Sequence, residues 1–153
     1  MDEAVTYAGF WVRVGATLID ALLIMLVTLP ILVSVYGSGY FFSEEFVQGK
    51  VDFLLTWVFP AVAVITFWVL KSATPGKMAF SAVIVDAQTG GKLSVAQCVG
   101  RYFAYIPATL LLFLGLIWVG IDKRKQGWHD KLASTVVVRN KPTPVAFAKP
   151  ENN

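Results

Sequence analysis

The 153-residue sequence predicts an all-α integral membrane protein with three hydrophobic helical segments and a small cytoplasmic β element. Three observations lead there. Residues of the set AVILMFWYC make up 56% of the chain and charged residues only 15%, against about 25% charged in an ordinary soluble domain. The apolar residues gather into three runs, Val14–Tyr36, Phe53–Leu70 and Tyr102–Ile121, of 23, 18 and 20 residues. A hydrocarbon layer about 30 Å thick takes about 20 helical residues, and backbone inside it must satisfy its own hydrogen bonds, which favours helices over open strands. Aromatic residues crowd the ends of the runs (Tyr7, Phe10, Trp11, Tyr36, Tyr40, Trp68, Tyr102 and Trp118), in the manner of an interfacial belt.

The first segment follows an acidic flank, Met1-Asp2-Glu3, where a secretory signal wants basic residues; it reads as a retained span. It carries Arg13 and Asp20 seven residues apart, nearly on one helical face. Gly9, Ala16, Thr17 and Thr28 fall near that stripe, and a small, polar stripe suits close helix packing. Asp20 lies about 15 Å beyond Phe10, near mid-depth, where an ionisable group costs at least about 2.5–3.5 kcal/mol. It therefore needs a partner, a proton or a watery cavity. Two readings follow: a protonated or paired group that locks the bundle, or a site that binds a cation or carries a proton. Arg13 is shallower and can reach the headgroups.

The loop 37–52 holds one basic residue, Lys50, whereas 71–101 holds four and 122–153 holds seven. Basic residues concentrate on the cytoplasmic side, so 71–101 and the N-terminus are expected there. Three full crossings would export the basic tail. Either it is exported despite its charge, or the third segment enters and returns, interrupted at Pro107 or Gly115; the second is preferred. The second segment places Asp52, Thr56, Pro60 and Thr66 close to one face. Pro60 frees the carbonyl of Thr56, which makes Thr17, Thr56 and Pro60 a candidate ion path, although such kinks more often shape packing.

Ala79–Asp86 is β-branched and bounded by Thr74-Pro75-Gly76-Lys77, which suits a type II turn, and by Gln88-Thr89-Gly90-Gly91-Lys92. Thr135–Arg139 reads as a second strand. Isolated short strands are rarely stable in water, so the two belong on one side of the membrane. Asp122, His129 and Asp130 sit in the densest polar stretch, and His129-Asp130 reads as a hydrogen-bonded pair closing a turn. A single domain is expected over 1–141, with a flexible tail over 142–153.

One cysteine, Cys98, excludes an internal disulfide, and one histidine leaves little material for a metal site or a triad. Neither an enzyme nor a cofactor is expected. The net charge of +3 sits beside apolar runs, so anionic lipid headgroups, rather than nucleic acid, are the expected partner.

Arg13 opening the first helix, Asp20 within it, Thr74-Pro75-Gly76-Lys77, Val83–Asp86, Gly90-Gly91, Arg101 and the ending His129-Asp130-Lys131-Leu132-Ala133-Ser134-Thr135-Val136-Val137-Val138 resemble the RDD family of bacterial membrane proteins, named for one arginine and two aspartates. The resemblance covers about 9–139. Arg13 and Asp20 match the first two letters; Asp122 and Asp130 both lie in family-like sequence, with Asp130 favoured as the third. Ser134 stands where glycine is expected. The resemblance implies a place in the bacterial inner membrane. It also implies suspected transport, such as exchange of H⁺ for Na⁺ or K⁺, which three segments could support only as a homo-oligomer. The alternative is a non-catalytic module that binds partner membrane proteins or stabilises a complex.

Overall fold

The computed structural model describes residues 5–111 and 114–139. In chain order they form β1 (Thr6–Tyr7), α1 (Phe10–Tyr36), a 3₁₀ turn at Ser38–Phe42, α2 (Lys50–Lys71), α3 (Pro75–Ala79), β2 (Ala82–Asp86), α4 (Val95–Leu110), α5 (Leu114–Ile121), α6 (Trp128–Leu132) and β3 (Thr135–Arg139). The tail expected over 142–153 lies outside the described residues.

α1 and α2 are each long and apolar enough to cross a membrane. Both begin earlier than the apolar runs alone mark, at Phe10 and Lys50, because polar residues of a first turn still hydrogen-bond helically. α2 contains a π-turn at Leu54–Val58, just before Pro60. Little of either helix is covered by the rest of the chain: Leu18, Leu22, Leu26, Val62 and Leu70 stand more than half exposed. In water such surface would be a liability; in a bilayer it is solvated.

The third apolar run is two helices, α4 and α5, meeting at 99°. The break falls after Leu110, between Pro107 and Gly115 rather than at either. Pro107 is accommodated inside α4, and Gly115 is buried where a Cβ would press on Ala108. Both ends of this bent run return to the sheet. Before it, Gln97 donates to Asp86 Oδ2 at 2.5 Å; after it, Arg124 donates to the Ala87 carbonyl at 2.8 Å.

The sheet has the order β1-β3-β2, all antiparallel, with Val137 opposite Ile84 and Val138 opposite both Val83 and Tyr7. The strand pair read from sequence is present. β1 is an addition: two residues are too few to show alternation. The Thr74–Lys77 stretch differs from expectation. It is a helical turn with Pro75 in the first position after the cap, where a proline's missing N–H costs nothing, so β2 begins only at Ala82. Ala8, Ala82, Ile84 and Val137 pack with Trp68, Leu93 and Cys98 into the main core. The Ile84 N–H donates to the Ser72 carbonyl at 2.7 Å, which ties the sheet to the end of α2. The N-terminal strand, residues 72–94 and residues 122–139 therefore form one polar cap at one end of the helices. The loop 37–49 occupies the other end, where Tyr40, Thr56 and the Gln48 N–H all donate to the buried Asp52 carboxylate.

Ser134 precedes β3 at φ 53°, exposed and with no hydrogen bond from its hydroxyl to the described residues. That conformation costs an L-residue about 1–2 kcal/mol; glycine avoids the cost but loses about 0.5–1 kcal/mol of chain entropy. Ser134→Gly should therefore stabilise the fold by about 0.5 kcal/mol, read as a small rise in the thermal midpoint in detergent. A fall would assign the serine hydroxyl a role that this geometry does not give it.

Candidate functional site

Asp130 is wholly buried, in the short helix α6 that closes the cap. Its Oδ2 accepts from Arg13 Nη1 at 2.6 Å and from the Gly127 N–H at 3.0 Å. Its Oδ1 pairs with Arg101 Nη1 from α4. Arg101 is also wholly buried: Nη1 donates to the Thr135 hydroxyl at 2.5 Å, and the guanidinium lies 5.2 Å from the centroid of the Trp68 ring. Among the described residues its Nε and Nη2 have no hydrogen-bond partner, and the guanidinium also lies 6.0 Å from the Tyr105 centroid. Arg13 is anchored on three sides, since Nε donates to the Ala8 carbonyl at 3.1 Å and Nη2 to the Lys125 carbonyl at 2.5 Å. Lys125 is held at φ 52° in the turn that presents this carbonyl.

Burial pushes the Asp130 carboxyl toward its neutral form, but the flanking Arg101 and Arg13 charges outweigh it and hold its pKa well below the usual range. His129 does not hydrogen-bond to Asp130; its Nε2 is 3.5 Å from Oδ1 and its ring stacks on Tyr105 at 3.9 Å. The expected His129–Asp130 pair is therefore not formed: the carboxylate turns to the two arginines, and the imidazole lies flat on an aromatic ring. Burial, reinforced by the nearby cations, lowers His129 to about 3, so it is neutral at physiological pH.

Asp20 is handled separately. Its Oδ2 accepts from the Thr74 hydroxyl at 2.5 Å and its Oδ1 from the Gly76 N–H at 2.7 Å. It thus satisfies orphan donors at the start of α3, as a capping carboxylate does. Gly76 makes this possible, because a Cβ there would collide with the Ala16 carbonyl of α1. The Arg13–Asp20 stripe is split: Arg13 bonds to α6, Asp20 to α3. Lys77, also in α3, is 7% exposed and lies 6.0 Å from the Trp68 centroid. Burial, with repulsion from Arg101, lowers it to about 8.

Of the two tail aspartates, Asp130 is the one that Arg13 reaches. Asp122 instead caps the 122–126 turn, accepting from the Arg124 and Gln126 N–H groups and pairing with Lys131 at 2.6 Å. Thr17, Thr56 and Pro60 are not brought together. Thr17 lies near the cap, whereas Thr56 bonds Asp52 at the end where the Asp52 N–H donates to the Tyr36 hydroxyl. The sequence marked Arg101 and Lys77 as basic residues and as parts of the family-like motifs, but gave neither a role in the site. The available signal was position: Arg101 directly precedes an apolar run, and Lys77 follows a proline–glycine pair that places a helix turn against α1.

Residues 7–134 match the family described as RDD family. An uncharacterized Bacillus subtilis protein, YxaI, is 32% identical to this chain, with 86% of this chain and 96% of the relative covered. An uncharacterized membrane protein of the same organism, YteJ, is 32% identical over 88% of this chain and 82% of its own length. No solved structure matches.

Removing one partner from a buried ion pair leaves uncompensated charge and costs about 3–5 kcal/mol. Asp130→Asn, which strands two guanidiniums, should therefore destabilise the protein by at least about 3 kcal/mol, while Asp122→Asn should cost under about 1 kcal/mol. Urea unfolding in detergent or folded yield compares them. An equal effect would remove Asp130 from the centre of the fold. His129 predicts a pH response. With its pKa near 3 folded and 6.5 unfolded, the unfolded state binds the extra proton between those values. Stability should thus fall as pH drops from 6.5 toward 4.5, at up to roughly 1.4 kcal/mol per pH unit. His129→Asn should flatten that slope.

Proposed function

The chain belongs to the RDD family, and from that premise we propose that it is a multi-pass protein of the bacterial inner membrane acting as a non-catalytic membrane module. In this reading the polar cap faces the cytoplasm, α1 and α2 cross the bilayer, and α4 and α5 enter and return. The broad bare faces of α1 and α2 meet other membrane helices, from partner proteins or from further copies. The observation that carries it is the engagement of the charges. Arg13 and Arg101 both bind the buried Asp130, and the half-buried Asp20 binds Thr74 and Gly76. They join helices to cap, as a structural bundle requires. The cytoplasmic placement rests on the basic residues of 71–101 and 122–139, which the fold brings to the same end.

A second reading, exchange of H⁺ for Na⁺ or K⁺ by a homo-oligomer, draws on one feature. Asp20 borders a small apolar cavity of about 150 Å³ between α1 and α2, together with Thr74, Phe59 and Val64. A carboxyl group at such a place can exchange a proton for a cation if water reaches it.

Proteoliposomes separate the two. The module reading predicts that purified protein does not dissipate a preset pH gradient when Na⁺ or K⁺ is added. A cation-driven response that Asp20→Asn abolishes, with expression and oligomer size intact, would overturn it. Labelling tests the topology. In a Cys98→Ala background, cysteines at Lys92 and Asn153 should be reached from the cytoplasmic side and one at Ser43 from the opposite side. Labelling of Asn153 from the Ser43 side would replace the re-entrant segment by a full crossing.

A further inference from the structure

A larger cavity, of about 570 Å³, opens between α1 and α5. Its polar lining includes Arg13, Lys77, His129 and Thr17. Its walls are apolar, with Val14 on α1 and Leu116 and Val119 on α5. The polar lining has unused donors. Lys77, though more than nine-tenths buried, has no hydrogen bond or ion pair among the described residues. His129 is 1% exposed, and neither ring nitrogen has a hydrogen-bond partner among the described residues. Each terminal nitrogen of Arg13 spends one N–H and keeps another. Three cations, Arg13, Arg101 and Lys77, stand against two carboxylates, Asp20 and Asp130, whose oxygens the protein already engages. The site therefore carries more positive than negative charge, and its carboxylate oxygens are already engaged.

Depth and shape narrow the ligand. Arg13 lies three residues past Phe10, about 4.5 Å along the axis. That is the level of headgroups and glycerol rather than of the bilayer centre, and the 80%-exposed Trp11 marks the same level. A free ion would match the polar lining and waste the walls; an apolar molecule would match the walls and leave the ammonium of Lys77 unpaired. We propose that this cavity binds one anionic phospholipid of the surrounding membrane, its phosphate against Lys77 and Arg13 and an acyl chain between Val14 and Leu116. The inference rests on the bilayer placement proposed above and is independent of whether the protein is a module or an exchanger.

Thermal unfolding in non-ionic detergent, with native mass spectrometry for stoichiometry, tests it. Phosphatidylglycerol should raise the midpoint by several degrees and remain bound at one per chain, while phosphatidylcholine and inorganic phosphate should leave the midpoint near its starting value. Lys77→Met keeps the buried stem and removes the ammonium; it should weaken phosphatidylglycerol on the order of tenfold or more, as loss of a charged hydrogen bond does. Val14→Trp fills the wall and should expel the chain, and it carries the test if Lys77→Met does not fold. Equal shifts from phosphatidylglycerol and phosphatidylcholine, a full shift from inorganic phosphate alone, or undiminished binding by folded variants would overturn the proposal. A protein that stays dispersed without detergent would instead overturn the bilayer placement.

Discussion

Two guanidiniums, from helices that begin far apart in sequence, close on one carboxylate that water does not reach. Taking three charged groups from water costs several kcal/mol for each, and only good geometry and further hydrogen bonds repay it. Here the repayment is visible in Gly127, Thr135, Ala8 and Lys125, each holding one of the three groups. The cluster is better understood as a device that specifies one arrangement than as a source of stability. It fixes where α1 stands relative to α4, and it fixes both against the turn before β3. A register slip of the sheet would pull Asp130 from both arginines at once.

Around that cluster the cap and the helices solve different problems. The cap has a core of its own, in which Trp68 and Cys98 cover Ile84 and Val137. The helices have little internal core and depend on an apolar surrounding. The bent third run reconciles them. It lets the basic residues of 122–139 rejoin those of 71–101 beside the sheet.

The long helices and the β2–β3 pair were legible in the sequence, because an unbroken apolar run and a β-branched run between breakers are local signals. Arg13 and Asp20 stood out because a charge in or beside an apolar run is expensive; Asp130 stood out through the polar stretch around it and the family resemblance. Their partners were not legible. Helical spacing put Arg13 and Asp20 on one face, but the partner of each charge, Asp130 and the Gly76 N–H, arrives from 117 and 56 residues away. The strand β1 was too short to announce itself. The third run read as interrupted at Pro107 or Gly115; it is broken, but between those two residues, which are both helical.

The sheet's middle strand comes from the far end of the chain, while the strand and the arginine that need it come from the beginning. During synthesis the first helix therefore leaves the ribosome with Arg13 still unmatched. It stays so until more than a hundred further residues have been made. Its shallow position makes this waiting tolerable, since headgroup phosphates can hold the guanidinium in the meantime. A chain stopped short of Asp130 would keep the Asp20 tie between α1 and α3 and lose the one that joins α1, α4 and α6.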